Sequence, residues 1–248
     1  MNSSFSKPKR IAAIIEARMT SSRLPGKVLM DVCGKPALQH LVDRLRQVET
    51  IDDIVIATTY NFDDDPVHAL AEQLGVLCYR GSESDVLGRV LGAAKTFSVD
   101  VIVEITADCP LLDPQISARC IDAYFDSGSD YVCIDTGSYP SGLETQVFAT
   151  SVLSEVDASH RDDPDAREHV SLPIYQQGSP YKLHYLQPSG EHLWPGLRLD
   201  LDTAEDYAFI SAIYQALYAE DPYFGLSKIL KLLDDPGFSM HRHRPVTG

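Results

Sequence analysis

The chain alternates between short apolar runs and longer segments in which apolar residues recur at helical spacing. The apolar runs are rich in β-branched residues and predict five buried strands, at residues 10–17, 53–59, 76–81, 100–107 and 130–135. Helical patterns follow the first four runs, at residues 36–48, 65–75, 84–97 and 113–128. This alternation predicts an α/β fold with a doubly wound, mostly parallel, Rossmann-like sheet, which binds ligands at the carboxyl ends of its strands.

The alternation breaks after Asp135. Residues from Thr136 to about His192 contain more turns, charges and aromatic side chains, and we expect a small hairpin-like excursion over about 136–192. Beyond it, the run LRLDLDT at 197–203 predicts another strand, and two more helical patterns follow. We therefore expect a single domain over residues 10–235, a disordered leader over 1–9 and a mobile tail over 236–248.

Composition narrows the class of protein. The hydrophobic fraction is 44% and the charged fraction is 23%, which is typical of a soluble globular domain. A net charge of -15 disfavours binding to nucleic acid or to an anionic membrane, and no apolar run is long enough to span a bilayer. Five scattered cysteines without a CxxC pair argue against a disulfide scaffold or zinc ribbon, and favour a cytoplasmic location.

The loop after the first strand gathers positive charge in this acidic chain. The stretch EARMTSSRLPGKVL contains Arg18, Arg23 and Lys27 beside the hydroxyls of Ser21 and Ser22. It lacks the glycine patterns of the common phosphate-binding loops. Arginines that bind bidentately, a lysine point charge and nearby hydroxyls can nevertheless hold a triphosphate. The alternative interpretation is a basic loop that only faces solvent.

Two later loops carry carboxylates. Asp108 follows the fourth strand in ITADCPLLDP, and Asp200 and Asp202 lie in LRLDLDTAEDY. Magnesium prefers a few carboxylate oxygens together with phosphate oxygens and water, so Asp108 and Asp202 are candidate ligands and Asp200 can assist. The alternatives are that Asp108 caps a turn and that Asp202-Thr203 begins a helix as a plain N-cap. We expect Asp113 to cap the next helix.

These three loops resemble those of the sugar cytidylyltransferases, the enzymes that make CMP-linked acidic sugars. ARMTSSRLPGKVL is similar to the family loop A-R-x-x-S-x-R-L-P-x-K, and TADCPL is similar to T-x-D-x-P-L. LDTAEDY resembles V-D-T-P-E-D, with Ala204 in place of proline. The resemblance extends from about Arg10 to Leu233 and implies the nucleotide-diphospho-sugar transferase type of sheet.

The resemblance also implies roles for these residues. The first loop would wrap the phosphates of CTP through Ala17, Arg18, Ser21, Ser22, Arg23 and Lys27, of which Arg18, Arg23 and Lys27 would be catalytic. Asp108 would bridge the nucleotide and Mg²⁺, and Asp202 would be the second metal ligand. The hairpin-like excursion would contribute to the sugar site and pair two subunits into a homodimer.

Three further segments resemble the spore-coat polysaccharide branch of this family. YRGSESDVLGRV is expected near the nucleotide, whereas YPSGLETQVF and DAREHVS are expected to shape the sugar site. The candidates are Arg80, Ser82, Asp85 and Arg89 for the nucleotide, and Glu144, Gln146, Arg167, Glu168 and His169 for the sugar. Gln146 stands where the branch has Glu. The alternatives are a capped helix with surface arginines and a structural hydrogen-bonding role for His169.

The expected reaction transfers CMP from CTP to an acidic sugar, releases pyrophosphate and serves surface polysaccharide biosynthesis. Two other classes stay open at this point. A glycosyltransferase that uses a nucleotide-sugar donor would share the sheet and use an Asp-x-Asp motif, a form that Asp200 to Asp202 has. A non-catalytic nucleotide-binding protein would bind CTP without turnover of any sugar.

Overall fold

The structure of the protein, a computed structural model, describes residues 9–238 and residue 240. The expected leader over 1–9 and tail over 236–248 therefore lie largely outside the described residues. No helix within the described part of the chain is both long enough and apolar enough to cross a bilayer.

The strands begin and end close to the apolar runs of the sequence. Nine lie within the described residues, in chain order β1 Ile11–Glu16, β2 Asp31–Val32, β3 Lys35–Pro36, β4 Asp53–Thr59, β5 Leu77–Gly81, β6 Val101–Thr106, β7 Tyr131–Ile134, β8 Gln146–Ala149 and β9 Leu183–Leu186. The central strands β1, β4 and β6 are almost wholly buried because helices cover both faces of the sheet.

Six of the helices lie where the sequence predicted helical periodicity, and the three between residues 150 and 175 were not predicted. The described residues form nine α-helices, α1 Ala37–Leu45, α2 Asp65–Leu74, α3 Val86–Thr96, α4 Pro114–Ser127, α5 Thr150–Ser159, α6 Pro164–Glu168, α7 Leu172–Tyr175, α8 Ala204–Leu217 and α9 Leu226–Leu233. Asp113 caps α4, as expected, because its carboxylate accepts hydrogen bonds from the backbone N–H groups of Gln115 and Ile116.

Seven strands form the main sheet in the order β5-β4-β1-β6-β8-β7-β9. The neighbours β5, β4, β1 and β6 are parallel, which confirms the predicted doubly wound core. Strand β8 runs antiparallel to both β6 and β7, and β9 lies parallel to β7 at the edge. The carboxyl ends of the parallel strands and the start of β8 therefore share one edge of the sheet.

The expectation of a hairpin-like excursion over 136–192 is wrong in its form. This segment returns β8 to the main sheet between β6 and β7, and its later part supplies α5, α6, α7 and the edge strand β9. These two strands could not be predicted from the sequence because β8 and β9 have only four residues each, which is too few for a strand pattern to stand out among turns.

The strand predicted at 197–203 is also wrong. Leu197, Leu199 and Leu201 are buried in alternation, as in a strand, but only one isolated bridge joins Arg198 to Ser141. The backbone N–H of Leu201 instead donates to the carbonyl of Asp108 at 2.8 Å. Apolar alternation describes an extended segment, whereas a strand also needs a neighbour along its whole length.

Buried hydrogen bonds hold the loop after β6 from below. Arg44 is 1% exposed, and its Nη1 donates to the carbonyl oxygens of Leu112 at 3.2 Å and Phe224 at 2.8 Å. The Tyr214 hydroxyl donates to the carbonyl of Pro110 at 2.6 Å and accepts from Arg44 Nε at 3.1 Å. Helices α1 and α8 thus fix the backbone that carries Asp108.

Candidate active site

Three loops from distant parts of the sequence meet at the ammonium group of Lys27. Its Nζ donates to Asp202 Oδ1 at 2.8 Å and to Asp108 Oδ2 at 3.1 Å. Lys27 is 9% exposed, so this contact lies at the base of a depression rather than on the surface. The sequence motifs that predicted a meeting of cations and carboxylates at the carboxyl edge of the sheet therefore correspond to one site.

The backbone of the first loop is closed by its own hydrogen bonds. Gly26 has a φ of 74°, and its N–H donates to the carbonyl of Met19 at 2.9 Å. This left-handed conformation favours glycine just before the 3₁₀ turn Lys27–Leu29. The buried Asp64 accepts from the backbone N–H of Met19 at 2.6 Å. Asp64 was missed from the sequence because only the fold brings it to the loop.

Asp202 is free to face the site because its neighbour caps the helix. Thr203 forms a capping box with Asp206 at the start of α8, so the capping role goes to Thr203 rather than to Asp202. Asp202 instead contacts Arg23 Nη2 at 2.6 Å and Arg198 Nη2 at 3.3 Å, in addition to Lys27. Asp200 is turned toward Ser141 and Arg198.

The charges of this cluster support one another. Burial acts to lower the pKa of Lys27, but attraction to Asp108 and a hydrogen bond to Asp202 outweigh it, and the pKa lies above its ordinary value. Burial acts to raise the pKa of Asp202, yet the three cations around it hold that pKa below its ordinary value. Both groups are therefore charged at neutral pH.

A cleft of about 340 Å³ lies directly over this cluster. The residues expected at the site that line the cleft are Arg18, Ser21, Ser22, Arg23, Lys27, Arg89, Asp108, Glu168, His169 and Asp202. Residues not singled out from the sequence also line it, namely Glu16, Val28, Val86, Thr106 and Ala107. The signal available for Glu16 was a charged residue at the end of an otherwise apolar strand.

The remaining expected nucleotide residues lie outside the cleft lining. Ala17 is buried. Arg80 donates to the carbonyls of Thr59 and Asn61, which fixes the chain after β4. Ser82 is exposed and contacts Ser84.

Asp85 and Arg167, expected at the nucleotide and the sugar, bind each other instead. Asp85 caps α3 by accepting from the N–H of Gly88 at 2.8 Å. The guanidinium of Arg167 contacts Asp85 through Nε at 2.7 Å and Asp157 through Nη1 at 2.8 Å. With both carboxylates engaged, Arg167 ties α6 to α3 and α5 and does not face the cleft.

A buried acidic pair lies at the base of the cleft. Burial raises the pKa of Glu16 to about 7, and burial together with the charge of Glu16 raises the pKa of Glu104 well above its ordinary value. Arg89 is 3% exposed, and its Nε has no hydrogen-bond partner among the described residues. The floor of the cleft thus contains a desolvated guanidinium beside carboxyls that hold a proton near neutral pH.

A second cavity of about 420 Å³ continues along the same edge of the sheet, and we call it the tyrosine chamber. Its main side chains are Tyr131, Tyr175, Tyr185, Asp135, Glu144 and Gln146. A third cavity of about 380 Å³ is lined by Glu144, Arg198 and Asp200 among others. Thr106, at the end of β6, lines all three spaces, so they adjoin one another. Arg198 was missed from the sequence.

Comparison with known proteins decides the family. The family model described as "Cytidylyltransferase" matches residues 12–224, which is most of the chain. The chain belongs to the cytidylyltransferase family. It is accordingly a CTP-dependent nucleotidyltransferase.

Relatives of this cytidylyltransferase include proteins of polysaccharide biosynthesis. It is 35% identical over 228 residues to the spore coat polysaccharide biosynthesis protein SpsF of Bacillus subtilis, covering 90% of this chain and 94% of that protein. It is 33% identical over 157 residues to a 3-deoxy-manno-octulosonate cytidylyltransferase of Anaeromyxobacter, covering 62% and 61% of the two chains. The solved structure of a cytidylyltransferase from Leptospira borgpetersenii matches with a TM-score of 0.84 and 27% identity, covering 91% of this chain and 94% of that one.

Proposed function

We propose that this cytidylyltransferase transfers CMP from CTP to a hydroxyl of an acidic sugar, releasing pyrophosphate, for surface polysaccharide biosynthesis. The names of the SpsF and octulosonate relatives support a sugar acceptor. The observation that carries the proposal is the contact of one buried ammonium group, Lys27 Nζ, with both Asp108 and Asp202. A site that joins these loops suits a polyphosphate and a cation at its centre.

The cleft supplies positive charge where a nucleotide tail would lie. Arg18, Arg23, Lys27 and Arg89 line it together with two serine hydroxyls. In an in-line attack, these cations would stabilise the charge that grows on the α-phosphate and on the leaving pyrophosphate. Phosphoryl transfer asks little covalent chemistry of a protein, so positioning and charge stabilisation carry most of the rate.

The carboxylates of Asp108 and Asp202, which meet at Lys27, suit a divalent ion. Asp108 and Asp202 already share one cationic group, so their oxygens converge on a common point. Within the described residues, no group of three or more His, Cys, Asp or Glu side chains could hold a metal. We propose Asp108 and Asp202 as the protein ligands, with the substrate supplying the others. Mg²⁺ bound by one or two carboxylates and by substrate phosphates matches this set. When bound, it would polarise the phosphoryl oxygens.

If Asp108 and Asp202 hold the ion, Lys27 would have to turn toward the phosphates. The ammonium group now lies between the two carboxylates, where the ion would be. The triphosphate would offer Lys27 new anionic partners, and Asp108 and Asp202 would then be available to hold the ion. Lys27 would then contact the nucleotide while Asp108 and Asp202 hold the metal.

The sugar is expected beside Thr106, where the cleft meets the two neighbouring cavities. Glu168 and His169 line the cleft, and Glu144 and Gln146 line the tyrosine chamber, so these four keep their proposed role near the acceptor. Arg167 does not, because Asp85 and Asp157 occupy its guanidinium. We also propose a homodimer, which light scattering of the purified protein would test.

A nucleotide panel tests the proposed function. Purified protein with Mg²⁺ and a mixture of acidic sugars is incubated with CTP, UTP, ATP or GTP, and pyrophosphate is measured. We expect release with CTP only, together with a CMP-linked sugar by mass spectrometry. CTP binding without pyrophosphate from any sugar would contradict catalysis. In a parallel incubation with CMP-, CDP- and UDP-linked sugars in place of the triphosphates, release of the nucleotide would identify a glycosyltransferase.

A further inference from the structure

The lining of the tyrosine chamber is acidic and aromatic. Among the described residues that line it, none is Lys, Arg or His. Two carboxyls face it instead. The hydrogen bond from Ser138 Oγ keeps the pKa of Asp135 below its ordinary value, so this group is charged. Burial raises the pKa of Glu144, and a cation bound beside it would relieve that cost.

The aromatic side chains of the chamber add a second preference for the same kind of group. The ring of Tyr131 lies 5.6 Å from that of Tyr175 and 6.4 Å from that of Tyr185. Tyr131 is 2% exposed, whereas Tyr175 and Tyr185 are 37% and 40% exposed. Ring faces attract ammonium groups, and the attraction grows where water is partly excluded.

One side of the chamber is neutral, and hydrogen bonds hold the side chain of Gln146 there. Gln146 Oε1 accepts from the Tyr131 hydroxyl at 2.7 Å and from Ser171 Oγ at 2.8 Å. Gln146 also pairs directly with Glu104 across strands β6 and β8. A carboxylate pushed into this space would therefore meet acids and ring faces without a compensating cation.

We propose that the tyrosine chamber is the distal acceptor subsite and that it selects a sugar with a protonated amino substituent at the end remote from the attacking hydroxyl. This inference rests on the proposed function, since it assigns the acceptor of the same reaction. The acceptor would then be zwitterionic, with its carboxylate on the cationic side of Thr106 and its ammonium group beside Asp135 and Glu144. The nucleotide cleft holds the anionic partner, and the chamber holds the cationic one.

Binding of three simple sugars tests this selection. Glucosamine, glucose and glucuronate have the same ring size but carry a positive, neutral and negative charge. Each is titrated by NMR into the full chain saturated with CDP and Mg²⁺, which occupies the cleft cations without turnover. We expect glucosamine to bind about tenfold more tightly than glucose, as one cation–π and charge contact implies, and glucuronate to bind more weakly than glucose.

Variants of residues that line the chamber test which side chains cause the preference for glucosamine. Glu144→Gln keeps an acceptor for the backbone N–H of Gly142 and should reduce the preference for glucosamine severalfold. Tyr185→Leu should weaken the binding of all three sugars because it removes an aromatic ring from the chamber. Glu49→Gln is the matched control, because Glu49 is an exposed acid far from the chamber residues in the sequence. It should leave the order of the three sugar affinities unchanged.

Two results would overturn the selection: glucose or glucuronate binding as tightly as glucosamine, or an unchanged preference in Glu144→Gln. Failure of the proposed function has a separate signature, because it would appear as absence of thermal stabilisation by CTP and CDP. Stabilisation by CDP together with a preference for glucuronate would retain the nucleotidyltransferase and reject the amino sugar.

Discussion

The cleft over Lys27 and the tyrosine chamber are neighbours whose linings differ in charge. The cleft combines four cationic side chains, including the buried Lys27, with four acidic ones, whereas the chamber combines three tyrosines with two acids. Anchors fix the cleft loops from below, through Arg44, Tyr214 and Asp64. The chamber instead borders the sheet edge, where two of its tyrosines remain partly exposed. Under the proposed assignment, the region that would bind the nucleotide is anchored by buried hydrogen bonds, whereas the region that would select the sugar is open.

The prediction with the greatest effect concerns turnover, which should fall when the cleft is altered, whichever sugar is the acceptor. Lys27→Met should lower kcat at least about 10²-fold with every acceptor, since removing one group that stabilises transition-state charge commonly costs 10²–10³-fold. Asp202 keeps Arg23 and Arg198 as partners, so we expect the fold to survive. Steady-state pyrophosphate release measures the effect, and circular dichroism checks the fold. Lys95→Met, at an exposed position, is the control. Unchanged kcat in Lys27→Met would remove Lys27 from the mechanism.

The next effect concerns how the cleft admits a metal. Because Lys27 Nζ now contacts both carboxylates, Mn²⁺ should bind the nucleotide-free protein weakly, and CDP should improve its affinity about tenfold or more by drawing the ammonium group away. In Lys27→Met, the nucleotide-free protein should bind Mn²⁺ more tightly than the wild type does. Electron paramagnetic resonance of free Mn²⁺ measures both. Equal affinity in the two proteins without nucleotide would show that Lys27 does not compete with the ion.

A third prediction concerns the buried carboxyls of Glu16 and Glu104 at the base of the cleft. The carboxyls of Glu16 and Glu104 hold protons to higher pH when folded than when unfolded, so unfolding becomes easier as pH rises from about 5 through 7. Arg89 is the charged group that favours ionisation of Glu16 and limits this loss. Glu104→Gln should flatten the dependence. One pKa unit is worth about 1.4 kcal/mol, and each kcal/mol shifts Tm by about 2–4 °C in a domain of this size.

The measurement is Tm at pH 5, 6, 7 and 8 for the wild type, Glu104→Gln and the exposed control Glu49→Gln. We expect the Tm of Glu104→Gln relative to the control to rise by several degrees from pH 5 to pH 8. A constant difference across that range would mean that the pair is ionised in the folded protein.

The sequence was more informative about the cleft than about the chamber, for physical reasons. Asp53–Thr59 has the predicted bounds, and the other core strands differ by one or two residues, because burial on both faces requires continuous apolar runs. The positions of Lys27, Asp108 and Asp202 after predicted strands indicated one shared edge of the sheet, and the resemblance to the cytidylyltransferase loops then decided between their alternative roles. Roles that depend on a distant partner were not visible, as the pairing of Arg167 with Asp85 illustrates.

The same reason explains the errors in the chamber. Its strands β7, β8 and β9 are short, and β8 inserts antiparallel between β6 and β7, an order that no local pattern specifies. The alternating leucines at 197–201 suit a strand equally well, but their pairing depends on a loop near Ser141. Local periodicity determines which residues are buried, whereas pairing along the sheet depends on contacts between distant segments.

The prediction with the smallest effect tests whether the buried hydrogen bonds of Tyr214 support the cleft but not the chamber. Tyr214→Phe leaves the carbonyl of Pro110 and Arg44 Nε without the hydroxyl that now pairs with both, which should cost about 1–3 kcal/mol and a few degrees of Tm. Because this hydroxyl holds the loop of Asp108, kcat should fall severalfold while glucosamine binding in the chamber stays unchanged. Tyr223→Phe, at a 44% exposed position, is the control. An equal loss of sugar binding would mean that the two regions share one support, and the contrast between a rigid cleft and an open chamber would then be wrong.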